Sequence, residues 1–267
     1  MIPELFRIGS FAITPFGVML VAAFVCAYFQ LGSGLRRLKA GDEEDASAIL
    51  FWTGLCGMLG GKVYYAALYR DPMLVFDRAG IVWYGGFIGG LLAFLWVRHH
   101  RRLAIWPTLD AVGPALAVGY GVGRIGCFLV GDDYGRPTDL PWGVAFAHGL
   151  PPTTVESLHR NFGIVVPGNL PGDALVRVHP TQLYETLIAL LIWGFGLWLL
   201  RRRPQPPGMI FLPILALLGA ERFTVELLRA KDDRFLGGFT IAQAISAAIV
   251  FVAVILAQRR HAQAARP

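Results

Sequence analysis

The sequence predicts an all-α integral membrane protein: seven transmembrane helices, N-terminus outside, C-terminus cytoplasmic, and a small irregular extracytoplasmic insertion. Three observations carry that prediction. First, 55% of the 267 residues are hydrophobic and 16% are charged. With a mean hydropathy of +0.54, this balance is that of a chain dissolved in lipid rather than in water. Second, predominantly apolar runs of roughly 17 to 25 residues, the length that crosses a bilayer, fall near 12–31, 46–69, 81–97, 107–130, 181–200, 208–228 and 239–258. Third, basic residues gather on every second connection between these runs.

Met1 to Ile8 carries no basic cluster and no Ala-x-Ala-type site follows the first apolar run, so that run is read as a retained span rather than a cleaved signal peptide. Arg36, Arg37 and Lys39 follow span one, and Arg98, Arg101 and Arg102 follow span three. Arg201, Arg202 and Arg203 follow span five, and Arg259, Arg260 and Arg266 follow span seven. These twelve are half of the 24 lysines and arginines and lie on one side, which the positive-inside rule makes cytoplasmic. Anionic headgroups on that side account for the net charge of +6 without a nucleic-acid partner.

The outer side holds the short connections 70–80 and 229–238 and a long one, 131–179, the one candidate for an extramembrane subdomain in a chain read as a single polytopic membrane domain, 1–267. Pro141–Phe146 and Gly163–Val166 have strand-like composition, but the surrounding prolines favour irregular structure. Cys26, Cys56 and Cys127 form no disulfide or metal framework, and no cofactor or metal is implied.

Gly121-Val-Gly-Arg-Ile-Gly126 spells the dinucleotide pattern G-x-G-x-x-G, yet an apolar helix supplies neither the strand nor the βαβ unit that pattern needs. The glycines around 57–61, 86–90 and 119–123 have instead the spacing that lets helix backbones approach closely in lipid. Arg124 is the exception inside this apolar segment, and a charge at membrane depth calls for a partner or an anionic ligand. At 1.5 Å per residue, Arg124 lies about 9 Å inside the outer end of span four and Arg222 about 10 Å inside that of span six. Glu226 and Arg229 follow Arg222 at helical spacing, so an Arg-Glu-Arg column forms on one face. Arg124 has no carboxylate three or four residues away. This leaves two readings open, an anionic ligand or a carboxylate from another helix such as Glu185. His179-Pro-Thr-Gln-Leu-Tyr-Glu185 enters span five from outside with polar groups on more than one face. Trp83-Tyr84-Gly-Gly begins span three, where aromatic-belt residues are common.

Gly123-Arg-Ile-Gly126 with Gly131 and Gly135, His179 to Glu185, and Glu221 to Arg229 occur in an order that resembles the bacterial phosphatidylglycerol–prolipoprotein diacylglyceryl transferase family, from about Phe11 to the end of span seven. The resemblance implies an enzyme of the bacterial inner membrane with its site toward the outer leaflet. It passes the diacylglyceryl group of phosphatidylglycerol to the lipobox cysteine in the signal-peptide region of a prolipoprotein. It also implies roles. Arg124 matches the lipid-binding arginine and Arg222 the second essential arginine, which Glu226 and Arg229 position. Gly123, Gly126 and Gly135 line the headgroup site, Asp132 holds an acidic position, and His179, Tyr184 and Glu185 complete the substrate-binding set. Tyr84 stands where the family has a histidine, the candidate base. Cys127 replaces an asparagine, and Phe16 and Leu218 replace tyrosines. Two other readings stay open: a divergent paralogue with another acceptor, and a non-enzymatic phospholipid-binding or translocating protein.

Overall fold

A computed structural model describes residues 4–9, 11–77, 80, 82–202, 205–231, 234–236 and 238–264; Arg203 and Arg266 of the basic clusters lie outside these. The described chain is mostly helical: α1 Pro15–Leu38, α2 Glu43–Tyr69, α3 Trp83–His100, α4 Ile105–Val130, α5 Val155–Phe162, α6 Thr181–Arg201, α7 Phe211–Glu226 and α8 Ile241–Ala264. Two small antiparallel hairpins, Phe6–Ile8 with Phe11–Ile13 and Arg234–Leu236 with Phe239–Thr240, precede α1 and α8.

Seven spans were expected. Five helices among the described residues, α1, α2, α4, α6 and α8, are long and apolar enough to cross a membrane. The other two expected spans correspond to α3, of 18 residues and ending in Arg98, His99 and His100, and to α7, of 16 residues. Only α7 is shorter than its run, 208–228, while α3 is as long as its run, 81–97, but lies two to three residues further along; a charged or turn-forming end is not distinguished from its apolar neighbour by hydropathy alone.

The chain divides into two compact units. The second unit, 28–112, is built on the α2–α3 pair. Asp42 and Asp45 form a reciprocal capping box that starts α2, and Arg101 at the end of α3 lies 3.4 Å from both Glu44 and Asp45. Between the helices the glycines do what their spacing predicts: a methyl group built on Gly60 or Gly85 would run into the opposite backbone carbonyl, and one on Gly89 into the Cys56 carbonyl. No side chain fits between these backbones. Tyr84, at the start of α3, belongs to this unit and is partly exposed.

The first unit comprises 1–27 and 113–267. Thr186 Oγ1 donates to the Gly121 carbonyl at 3.1 Å, joining α6 to α4. Gly219 of α7 lies against α8, where a Cβ would meet Val250 at 2.9 Å. The connection 131–179, expected to be irregular, contains α5 and a hydrophobic core of Tyr134, Phe146, Leu158, Val178 and Ala230. Tyr134 and Phe146 stack with centroids 5.5 Å apart, and Tyr134 donates to the Pro151 carbonyl at 2.9 Å. Prolines thus exclude long strands, and only single bridges form, such as Val144 with Val178, but they do not exclude a packed core. Thr154 caps α5 and Gly163 ends it in the left-handed conformation.

Gly89→Ala is expected to destabilise the purified protein by about 1–3 kcal/mol, the range for overpacking, whereas Gly194→Ala, whose added methyl meets nothing, is expected to be neutral. Thermal unfolding in detergent distinguishes the two.

Candidate active site

The candidate site belongs to the first unit and centres on Glu185, whose side chain is fully buried in the second turn of α6. Three arginines from two other segments converge on one of its oxygens, Oε1. Arg124 Nη2 donates to it at 2.8 Å, while Arg229 Nη1 lies at 3.8 Å and Arg222 Nη1 at 4.0 Å. Tyr120 Oη donates to the same oxygen at 3.0 Å and stands 3.5 Å from both oxygens of Glu221. Its ring lies beneath Arg124, 5.4 Å from the guanidinium.

Of the two readings left open for Arg124, the carboxylate partner is therefore present, and there are two of them. The second is Asp133, which accepts from Arg124 Nη1 at 2.9 Å and pairs through its other oxygen with Arg229. Glu226 closes the cluster, 2.7 Å from Arg222 Nη2 and 3.8 Å from Arg229 Nε, and its other oxygen accepts from Thr240 at 3.2 Å. Three cations thus face three carboxylates in a largely dry volume, where an unpaired charge would be costly. The members differ in exposure. Glu185, Glu226 and Arg229 are almost wholly buried, whereas the Asp133 side chain is 37% exposed.

Local structure explains how Asp133 reaches Arg124 from nine residues away. Gly131, with φ of 71°, ends α4, its N–H bonding back to the Cys127 carbonyl at 2.9 Å. Asp133 is itself left-handed, φ 56°, a conformation aspartate tolerates. The first turn of α6 then fixes this corner: Thr181 Oγ1 donates to the Asp133 carbonyl at 2.9 Å, and Gln182 Nε2 donates to the Asp132 carbonyl. Three polar residues of the His179–Glu185 motif are accounted for in this way, Thr181 and Gln182 as struts and Glu185 as the hub. The acidic position assigned to Asp132 makes no ion pair with Arg124; Asp133 supplies it.

The remaining expected residues fall around the cluster. Gly123 faces open space, whereas Gly126 lies against α1, where a Cβ would meet Met19 at 3.0 Å and the Phe16 backbone at 3.3 Å. At Gly135 three segments meet so closely that a Cβ would stand 2.7 Å from both His179 Cβ and the Leu228 carbonyl. His179 and Tyr184 form a separate chain, His179 Nδ1 lying 3.3 Å from Tyr184 Oη, which accepts from Trp142 Nε1 at 2.7 Å. Burial lowers the His179 pKa, so the ring is neutral at physiological pH. Cys127 is buried, its sulfur 3.6 Å from Arg124 Nη1. Tyr84 lies in the second unit.

Sequence reasoning missed Tyr120, Asp133 and Glu221. Tyr120 carried a signal, four residues before Arg124 and so on its face of α4. Asp133 read as a turn residue, and Glu221 as the neighbour of an arginine already paired.

The profile of the family described as prolipoprotein diacylglyceryl transferase matches residues 3–259. The chain belongs to that family. It is similar to the phosphatidylglycerol–prolipoprotein diacylglyceryl transferase of Geobacter sulfurreducens, 30% identical over 91% of this chain and 89% of the relative. The proteins of the same description from Bordetella parapertussis and Xylella fastidiosa are also 30% identical, covering 93% and 95% of this chain and 91% of each relative. Membership agrees with the several apolar helices, long enough to cross a membrane, among the described residues.

Adjacent acids in this family member titrate in opposite directions. Burial pushes the Asp133 carboxyl up, but Arg229 and Arg124 outweigh it and hold the group below its ordinary value; burial, then the charge of Asp133, push Asp132 above it. Ionised Asp133 therefore stabilises the fold at neutral pH, and that contribution is lost as pH falls through its lowered pKa. Ionised Asp132 opposes folding until pH falls through its raised one. At pH 7, Asp133→Asn is expected to lower Tm and Asp132→Asn to raise it or leave it unchanged, measured by thermal unfolding in detergent. Glu185→Gln, which removes the charge that three arginines face, is expected to cost about 3–5 kcal/mol in the same assay.

Proposed function

We propose that this chain transfers the diacylglyceryl group of phosphatidylglycerol to the lipobox cysteine thiol of a prolipoprotein, as its relatives are named for doing. The observation that carries this reading beyond family membership is the convergence of Arg124, Arg222 and Arg229 on Glu185, with the exposed Asp133 bridging two of them. A phosphodiester entering from lipid replaces Asp133 on Arg124. Glu185 and Glu226, buried and held in place, keep the guanidinium groups aimed. Arg222 Nη1, buried and without a hydrogen-bond partner among the described residues, is the donor left for a second phosphate oxygen. Gly123 leaves room beside Arg124 for the headgroup, Gly126 admits α1, and Gly135 lets the His179 and Arg229 segments close over the corner.

In the reaction the cysteine sulfur, as thiolate, attacks the glyceryl carbon that bears the phosphate. A carbon–sulfur bond forms, the carbon–oxygen bond breaks, and the electron pair leaves on glycerol phosphate. Negative charge grows on the phosphate as that bond breaks, so donors fixed before the reaction in a dry site lower the barrier. The thiol proton goes to a base, a role for which Tyr84 is the candidate from its place in the sequence alone. His179 and Tyr184 border the substrate site. Seven spans complete the reading, with α3 and α7 as the two shorter ones, the basic clusters in the cytoplasm, and the 131–179 subdomain with the arginine cluster toward the outer leaflet of a bacterial inner membrane.

The test is transfer of labelled diacylglyceryl from phosphatidylglycerol to a lipobox peptide by the purified protein, paired with rescue of a transferase-depleted bacterium. Arg124→Ala and Arg222→Ala are each expected to reduce the rate by about 10²–10³, the loss typical of one fixed donor. Tyr84→Phe is expected to lower it as well, and full activity in that variant removes Tyr84 from the base role. Folded protein that yields no thioether product overturns the reading.

A further inference from the structure

Beside the arginine cluster a cavity of about 150 Å³ opens between the 131–179 subdomain and residues 229–231 that follow α7. Asp132, Asp133, Arg229 and Lys231 form its polar wall, and Pro151 and Phe162 stand among its apolar lining. Two of the polar groups have unspent hydrogen-bonding capacity. Asp132 Oδ1 and Arg229 Nε are both buried and have no hydrogen-bond partner among the described residues. Arg229 is itself almost wholly buried, with 3% of its side chain exposed, and a buried donor or acceptor left unmade is costly unless a ligand meets it.

The combination is chemically specific. Arg229 and Lys231 attract an anion. A carboxylate oxygen in the same cavity accepts hydrogen bonds but repels negative charge, so it disfavours a bare anion and favours one that carries hydroxyl groups. A volume of about 150 Å³ suits a short phosphate ester and is too small for an acyl chain. We propose that this cavity is a subsite for a small polyol phosphate monoester, with the phosphate on Arg229 and Lys231 and a hydroxyl donating to Asp132 Oδ1. Resting on the transfer reaction proposed above, the ligand is the departing glycerol phosphate. Asp133 joins the two places, since it pairs with both Arg124 and Arg229. Once the carbon–oxygen bond has broken, the leaving group moves from Arg124 to Arg229, and Asp133 returns to Arg124 behind it. The subsite gives the product a way out that does not cross the path of the next lipid.

Binding of glycerol 1-phosphate, methyl phosphate and inorganic phosphate to the full-length detergent-purified protein, measured by calorimetry alongside the transfer assay, tests this. Wild type is expected to bind glycerol phosphate about tenfold more tightly than methyl phosphate or inorganic phosphate, the scale of one hydrogen bond to a charged group. Asp132→Asn is expected to bring glycerol phosphate to the level of methyl phosphate. Lys231→Ala, at an exposed position, is expected to weaken all three several-fold. Equal binding of the three ligands by wild type, or a Lys231→Ala protein that binds unchanged, overturns the subsite. A wild-type protein that shows the tenfold preference but transfers no diacylglyceryl keeps the subsite and removes the transfer reading; one that transfers without the preference does the reverse.

Discussion

The constraint on which the site depends is the burial of a single carboxylate, Glu185, among three guanidinium groups. A buried carboxylate without cations beside it is costly, and so are arginines at that depth without anions. Each side of the cluster is the condition for the other. This is why α4, α6 and the end of α7 meet where they do: Arg124, Glu185 and Arg222 each sit on a different helix, and their contacts fix the rotation of all three. Tyr120 adds a neutral donor on the same oxygen and a ring under Arg124, limiting the motion of a side chain that otherwise carries several free torsions.

The rest of the first unit serves to keep Asp133 beside this hub. Its corner has two left-handed residues, Gly131 and Asp133, within three positions, a shape the backbone would not hold unsupported. Support comes from Thr181 and Gln182 on one side and from the aromatic core of Tyr134, Phe146 and Phe128 on the other. The connection 131–179 is therefore a structural part of the site, since its core ends one residue from the acid that contacts two of the arginines.

Much of this was legible in the sequence. The span limits of α4 and α6 matched within two residues because their ends coincide with Gly131 and Pro180, which are strong local signals. Depth counting placed Arg124 and Arg222 together, and the structure puts both on Glu185. What was not legible depended on contacts between segments. Nothing local distinguishes Asp132 from Asp133, since the backbone turn decides which of two adjacent acids faces the arginine. Likewise the core of the 131–179 subdomain joins Tyr134 to Ala230, residues nearly a hundred positions apart, and no periodicity within a window reports such a pairing. The shorter extent of α7 and the shifted limits of α3 were hidden for the opposite reason, because hydropathy is smooth across the residues where the hydrogen-bonded helix stops.

The partial exposure of Asp133 carries a consequence for selectivity. An acid tethered beside Arg124 competes for that arginine as an intramolecular anion, at an effective concentration on the order of millimolar for a short tether. Dilute solutes such as free phosphate or sulfate must outbid it from the bulk and lose. A phospholipid does not approach from the bulk: it is confined to the two-dimensional film in which the protein floats, where its local abundance far exceeds that of any dissolved ion. In the proposed function the cluster thus needs no lid to turn away water-borne anions. At Arg124 a carboxylate within the chain sets the threshold, and only a ligand delivered by the bilayer passes it.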